Sequence, residues 1–145
     1  MTVHLVKMCV GVDSVEDLAA WQARRLAQAR KMGEPLVLHH FTRNTPRRAE
    51  ELLDGGSLYW VIRGFMRARQ KLVAIERMPD AEGRPRCALG MEPRLVRIEL
   101  RAHRPFQGWR YLSMEEAPPD VSLSATDNGD LPEEMAEELK VLGLL

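Results

Sequence analysis

Two short segments hold most of the side chains that could do chemistry. The first is Thr42-Arg43-Asn44-Thr45-Pro46-Arg47-Arg48, followed after the Gly56 turn by Ser57-Leu58-Tyr59-Trp60-Val61-Ile62-Arg63-Gly64. Arg47 and Arg48 fall in the first turn of a predicted helix, where a cation opposes the helix dipole. Cations placed there, beside free backbone N–H donors, suit an oxyanion or a phosphate. Tyr59 and Arg63 share one face of a predicted strand, and Arg67 and Arg69 follow within a few residues. The second segment, Arg104-Pro105-Phe106-Gln107-Gly108-Trp109-Arg110-Tyr111, sets two arginines, three aromatics and an amide within eight residues. Stacking faces interleaved with guanidinium groups are what single-stranded nucleic acid or a flipped base requires. The competing reading is structural. Phe106 and Trp109 would be core, and the arginines would pair with Glu50, Glu51, Glu76 and Glu99.

Most catalytic signatures are missing. There is no P-loop, no G-x-G-x-x-G, no H-E-x-x-H and no G-x-S-x-G, and no cofactor is expected. His39 and His40 are adjacent, so on a strand they face opposite sides and cannot share a metal. With His4 and His103 isolated and no Cys-x-x-Cys, no metal site is expected. Cys87 on a strand reads as a small packed hydrophobe. If the chain is an enzyme, its general base would come from Glu50, Glu76 or His40.

Charge sharpens the same contrast. The 21 basic and 21 acidic residues cancel, yet residues 1–112 hold 20 of the cations and 12 of the acids, a net of +8. Residues 113–145 set Lys140 against nine acids. The cations are 17 Arg against 4 Lys, and Arg offers the planar donor fork that phosphate and carboxylate accept. A basic body with an acidic end points to a polyanionic partner, RNA first, or to an end that folds over the basic face. Solvated charge runs are the plainer alternative.

The elements that must position these groups fit one domain of 145 residues. No apolar run approaches the ~20 residues of a membrane span, and no membrane partner is expected. Met1–Val10 has Lys7 inside its apolar stretch and reads as a strand instead of a signal peptide. Two cysteines with no framework suit a reducing, cytoplasmic setting. Ser14-Val15-Glu16-Asp17 resembles a capping box opening a long helix to about Met32, stopped at Gly33. Leu36–Phe41 is predicted as a strand and Pro46–Leu53 as a short helix. In Ser57–Arg63, Leu58, Trp60 and Ile62 form the predicted core face, leaving Tyr59 and Arg63 opposite. Residues 65–78 fit a bent, bulged strand or a helix. Arg86–Met91, Leu95–Ala102 and Phe106–Leu112 are further predicted strands. Ala117–Gly129 reads as a linker, and Asp130 caps a predicted acidic C-terminal helix. The expected organisation is one α+β domain at 1–112 and an acidic linker with helix at 113–145. The expected architecture is a small curved, mostly antiparallel sheet or a PUA-like β-barrel with one long N-terminal helix, one short helix and the acidic C-terminal helix.

The motif Thr-Arg-x-x-Pro-x-Arg at 42–48, the run Glu51-Leu52-Leu53-Asp54-Gly55-Gly56-Ser57-Leu58-Tyr59-Trp60-Val61-Ile62-Arg63-Gly64, then Arg69-Gln70, Arg86-Cys87 and the stretch Arg104–Leu112 resemble a bacterial family of about this length. It is the domain-of-unknown-function family numbered fourteen eighty-nine, and it implies no activity. A strand, a short helix ending in glycine and a strand ending in arginine are also similar to the opening of PUA and ASCH-like barrels. Those barrels bind RNA or modified bases, and a few hydrolyse nucleosides. The lysine and glutamate of the ASCH signature are absent after Gly56. Three function classes follow. The leading one is a nucleic-acid-binding module with Arg43, Arg47, Arg48, Arg63, Arg67 and Arg69 on phosphates, Tyr59 and Trp109 stacking, Gln107 reading a base edge, and Arg110 on the same binding surface. The others are a small enzyme on a nucleoside or phosphate-bearing substrate, and an interaction protein working through its acidic end.

Overall fold

The computed structural model describes residues 2–121. In chain order the elements are β1 (His4–Met8), α1 (Val15–Lys31), β2 (Leu38–Thr42), α2 (Ala49–Leu53), β3 (Ser57–Ile62), β4 (Phe65–Arg77), β5 (Cys87–Met91), β6 (Val96–Ala102) and β7 (Trp109–Leu112). The strands form one seven-stranded sheet in the order β2-β5-β4-β3-β1-β7, with β6 on β4. β1 and β3 are parallel, because the chain between them crosses over through α1, β2 and α2. The other pairings are antiparallel.

This corrects the expected fold class. The sheet is open and mixed, not a closed PUA-like barrel, and helix is confined to α1 and α2 among the described residues. The predicted acidic C-terminal helix, and most of the predicted linker before it, lie outside those residues. No strand pairing joins β2 to β7, the two ends of the sheet path. The loop after β2 bridges that gap instead. The Trp109 indole donates to the Asn44 carbonyl at 3.0 Å, and the Arg48 backbone N–H donates to the Tyr111 hydroxyl at 3.1 Å.

β4 gives the sheet its bend. Its first half lies between β3 and β6, and its second half pairs with β5. Register shifts at Met66/Ala68 and Leu72/Ala74 mark bulges, which tighten local twist. Thus residues 65–77 are a strand, and their helical apolar spacing reflects those interruptions.

Leu5, Leu58, Trp60, Ile62, Leu72 and Leu89 build the main core, closed by Leu18 of α1 and Leu52 of α2. Ser14 caps α1, its hydroxyl accepting from the Asp17 N–H at 3.0 Å. From α1, Gln22 enters this core and donates to Gln70 Oε1 at 2.7 Å, which also accepts the Trp60 indole N–H at 2.9 Å. A second cluster, Val6, Tyr59, Val61, Met66, Ile98 and Leu112, occupies the opposite face. β3 is therefore buried on both faces, and Tyr59 is not the open-face residue that alternation suggested. Alternation identifies two faces but not what covers the second. Here the cover includes Ile98 on β6 and Ala117. Residues 113–121 stay attached to the body, through Glu99 N–H to Pro119 O and Val121 N–H to Arg97 O, both at 3.0 Å. No helix among the described residues is long and apolar enough to cross a membrane.

The β3–β4 turn carries one strained residue. Arg63 and Gly64 both have positive φ, 53° and 81°. A two-residue hairpin of this kind favours Asn-Gly, and an arginine there is held against its backbone preference. Buried Arg67 braces the turn, donating to the carbonyls of Ile62 and Arg63. Arg63→Asn should stabilise the fold by about 0.5–1 kcal/mol, read as a raised urea midpoint with unchanged slope. An unchanged or lowered midpoint would show that the turn is not strained.

Candidate anion-binding cleft

Strand register gathers arginines that lie far apart in sequence. Cys87 at the start of β5 pairs with Thr42 on one side and Arg77 on the other. Their neighbours Arg43 and Arg86 are drawn to the same place. The result is a cleft of about 450 Å³ lined by Arg43, Asn44, Thr45, Arg47, Arg77, Pro79, Gly83, Pro85 and Arg86. Four guanidinium groups line it and no carboxylate does. Beside it lies a cleft of about 210 Å³, lined by Thr42, Arg43, Asn44, Gln107, Gly108 and Trp109. The two share Arg43 and Asn44.

Hydrogen bonds within the protein hold the walls in place. The β4–β5 loop is tied by Asp80, whose carboxylate accepts the Glu82 and Arg84 N–H groups at 2.9 Å each. Met78 N–H to Arg86 O at 3.0 Å closes its base. Arg86 spends one donor on Met78 O at 2.8 Å, and its guanidinium lies 3.8 Å from the Phe41 ring centroid. Its other N–H donors remain for a ligand. Arg43, Arg47 and Arg77 are exposed and form no ion pair among the described residues. Like charges collected this way repel one another, so an anion in the cleft relieves a cost already present.

A family model described as "Protein of unknown function (DUF1489)" matches residues 5–145. The chain belongs to that family. No curated protein and no solved structure matches it.

The ten residues singled out from the sequence separate into groups. Arg43 and Arg47 line the larger cleft, and Gln107 and Trp109 the smaller. Trp109 is half-buried against the main core, and its N–H is already used. Arg48 is turned away by a bidentate pair with Glu51, whose carboxyl it holds below the ordinary range. Arg69 is likewise held, with 2.7 Å contacts to both oxygens of Asp120 and a 3.0 Å contact to Ser57. Tyr59 and Arg67 are buried, at 4% and 2% exposure, so neither offers a surface for stacking or phosphate contact. Arg63 sits on the β3–β4 turn. Arg110 alternates with Trp109 on β7 and faces the other way, its guanidinium 5.7 Å from the Phe106 centroid. Sequence reading missed Arg77 and Arg86. Only the Arg86-Cys87 motif hinted at either, because their convergence depends on pairing between strands distant in sequence.

The candidate general bases are placed differently. Glu50 and Glu76 are exposed, and they line neither cleft, nor does His40. His39 is exposed on the outer side of β2, stacked 6.4 Å from Phe41. His40 points into the sheet, edge-on to Trp60 at 5.2 Å, with Nε2 buried and without a hydrogen bond. Burial, aided by the charge of Lys7, lowers its pKa to about 4. Burial also pushes the Cys9 thiol up to about 11 despite Lys7, so it remains a thiol near neutrality. Cys87 is fully buried.

The His40 shift has a consequence for stability. Its folded pKa lies below the unfolded value, so between the two the unfolded chain binds the proton and the folded chain does not. The stability this neutrality contributes is complete above pH ~6.5 and is lost as pH falls towards 4, on the order of 2–3 kcal/mol in total. His4 is shifted the same way by burial and by Arg69, and adds to the same acid limb. His40→Leu should flatten that limb in urea titrations run from pH 7 to pH 4. An unchanged slope would remove His40 as its source.

Proposed function

We propose that this protein binds nucleic acid, RNA in single-stranded form, through the arginine cleft and its smaller neighbour. The observation that carries the reading is four guanidinium groups in one concave site with no carboxylate in its lining. Phosphates satisfy such a donor set, and Arg meets them with a planar fork. The adjoining cleft supplies what phosphate contacts lack. The Asn44 and Gln107 amides can donate and accept on a base edge, and Trp109 offers an apolar wall. A narrow pair of clefts suits a flexible strand whose bases can be splayed out. A duplex needs a broader surface across its groove.

Fluorescence anisotropy with single-stranded RNA, single-stranded DNA and duplex, at low and near-physiological salt, tests this directly. Single-stranded RNA should bind at micromolar or tighter Kd. Its affinity should fall with rising salt, with a log–log slope of about −0.7 for each phosphate neutralised on a single strand. No binding at low salt, or a preference for duplex, would overturn the reading.

A further inference from the structure

Four arginines in one cleft are more than an internal stretch of RNA uses. A strand carries one negative charge per nucleotide, so a groove that tracks its backbone spreads its cations along the path. Each internal phosphodiester presents one charge and two free oxygens. Here Arg43, Arg47, Arg77 and Arg86 face a single volume of about 450 Å³, and three of them have no ion-pair partner among the described residues. Each guanidinium has five N–H donors. The ligand that fits is compact, carries close to two charges and offers three oxygens, which describes a terminal phosphomonoester near pH 7.

The neighbouring cleft sets what must be attached to that phosphate. It opens from the same Arg43 and Asn44, holds about 210 Å³ and offers two amides beside an indole edge. Its size admits one flat ring system and little more. Pro79, Pro85 and the Asp80-tied loop keep the larger cleft's wall from spreading to follow a longer strand.

From this juxtaposition we infer that the cleft recognises the phosphorylated end of an RNA strand, with the terminal phosphate among the four arginines and the terminal base against Gln107 and Asn44. The inference rests on the single-stranded RNA reading and deepens it. Phosphate at a 5′ end and at a 3′ end present the same chemistry, and the experiment separates them.

The experiment compares one short RNA sequence in three forms, with a 5′-phosphate, with a 3′-phosphate and with hydroxyls at both ends. Binding is followed by anisotropy, using an internal fluorophore, at near-physiological salt. One phosphorylated form should bind at least 10-fold more tightly than the hydroxyl form. Arg47→Gln/Arg77→Gln should erase that preference; both sites are exposed, and the variant's circular dichroism spectrum should match that of the wild type. Inorganic pyrophosphate should compete with the phosphorylated form in the wild type. Gln107→Ala should lower affinity for the phosphorylated RNA without changing competition by pyrophosphate. Equal binding of all three forms would overturn this inference and leave the RNA reading standing. Binding of none would overturn both. A preference that survives in the Arg47/Arg77 variant would show that the end is read elsewhere and would overturn it too.

Discussion

Reversing two charges, Arg43→Glu with Arg77→Glu, should raise the Kd for single-stranded RNA at least 100-fold at low salt. Two attractive contacts become two repulsive ones in a cleft that otherwise holds only Arg47 and Arg86 as cations. Removing each phosphate contact should also reduce the log–log salt slope by about 0.7. Both side chains are exposed and make no ion pair among the described residues, so little folding energy is at stake. The matched control is Arg110→Glu with Arg63→Glu, which changes the same formal charge outside the clefts. It should weaken binding only a few-fold, through long-range attraction that salt screens. Equal losses from the two pairs, measured by anisotropy, would mean that net charge and not the cleft drives binding.

Gly56→Ala should be the most damaging single-methyl change in the described fold. A Cβ at Gly56 would lie 2.3 Å from the Leu52 carbonyl oxygen and 2.4 Å from that of Val3. Both are backbone atoms and cannot rotate aside. The same residue donates its N–H to Leu52 O at 2.9 Å, and its carbonyl accepts from Leu72 N–H at 3.0 Å. Relieving the overlap therefore disturbs the end of α2, the start of β1 and the β3–β4 ladder together. A cost of roughly 3–5 kcal/mol is expected, at the upper end for overpacking. Gly55→Ala is the comparison. Its φ of +85° disfavours alanine, but the nearest atom outside the turn is Thr2 Oγ1 at 3.9 Å, so about 1 kcal/mol should be lost. Urea melts of both variants, in which Gly56→Ala costs no more than Gly55→Ala, would contradict the packing described for this junction.

These two cases also mark what the sequence could and could not disclose. The glycine pair before β3 was readable as a turn, since it closes a short helical pattern. Its crowding was not, because the oxygen of Val3 arrives from 53 positions away. The apolar alternation of Leu58, Trp60 and Ile62 identified the main core correctly. The same alternation placed Tyr59 in solvent, because a strand's own pattern does not reveal what covers its second face, here Ile98 and Ala117 among others. The parallel pairing of β1 with β3 was hidden for a similar reason: period-2 patterns give faces, not partners.

The cleft follows the same rule. Arg43 and Arg47 were visible as a local cluster, and Gln107 and Trp109 as a second. Arg77 was seen only as a member of a basic body and Arg86 only within the Arg86-Cys87 motif, since their meeting with Arg43 depends on Cys87 pairing with two strands at once. Arg48, Arg67 and Arg69 looked equivalent to Arg43 in sequence. Glu51, the β3–β4 turn carbonyls and Asp120 take them up in the fold.

The cleft stands or falls on where RNA would contact the protein, residue by residue. Two-dimensional 1H–15N NMR, tuned for side-chain amides and arginine Nε–H groups, would be recorded on the full chain while a short single-stranded RNA is added. Shifts should concentrate on Arg43, Arg47, Arg77 and Arg86 Nε and on the amides of Asn44 and Gln107, with Arg69 and Arg110 little changed. Shifts centred on Arg63 and Arg110, or none at saturating RNA, would rule out the arginine cleft as an RNA site.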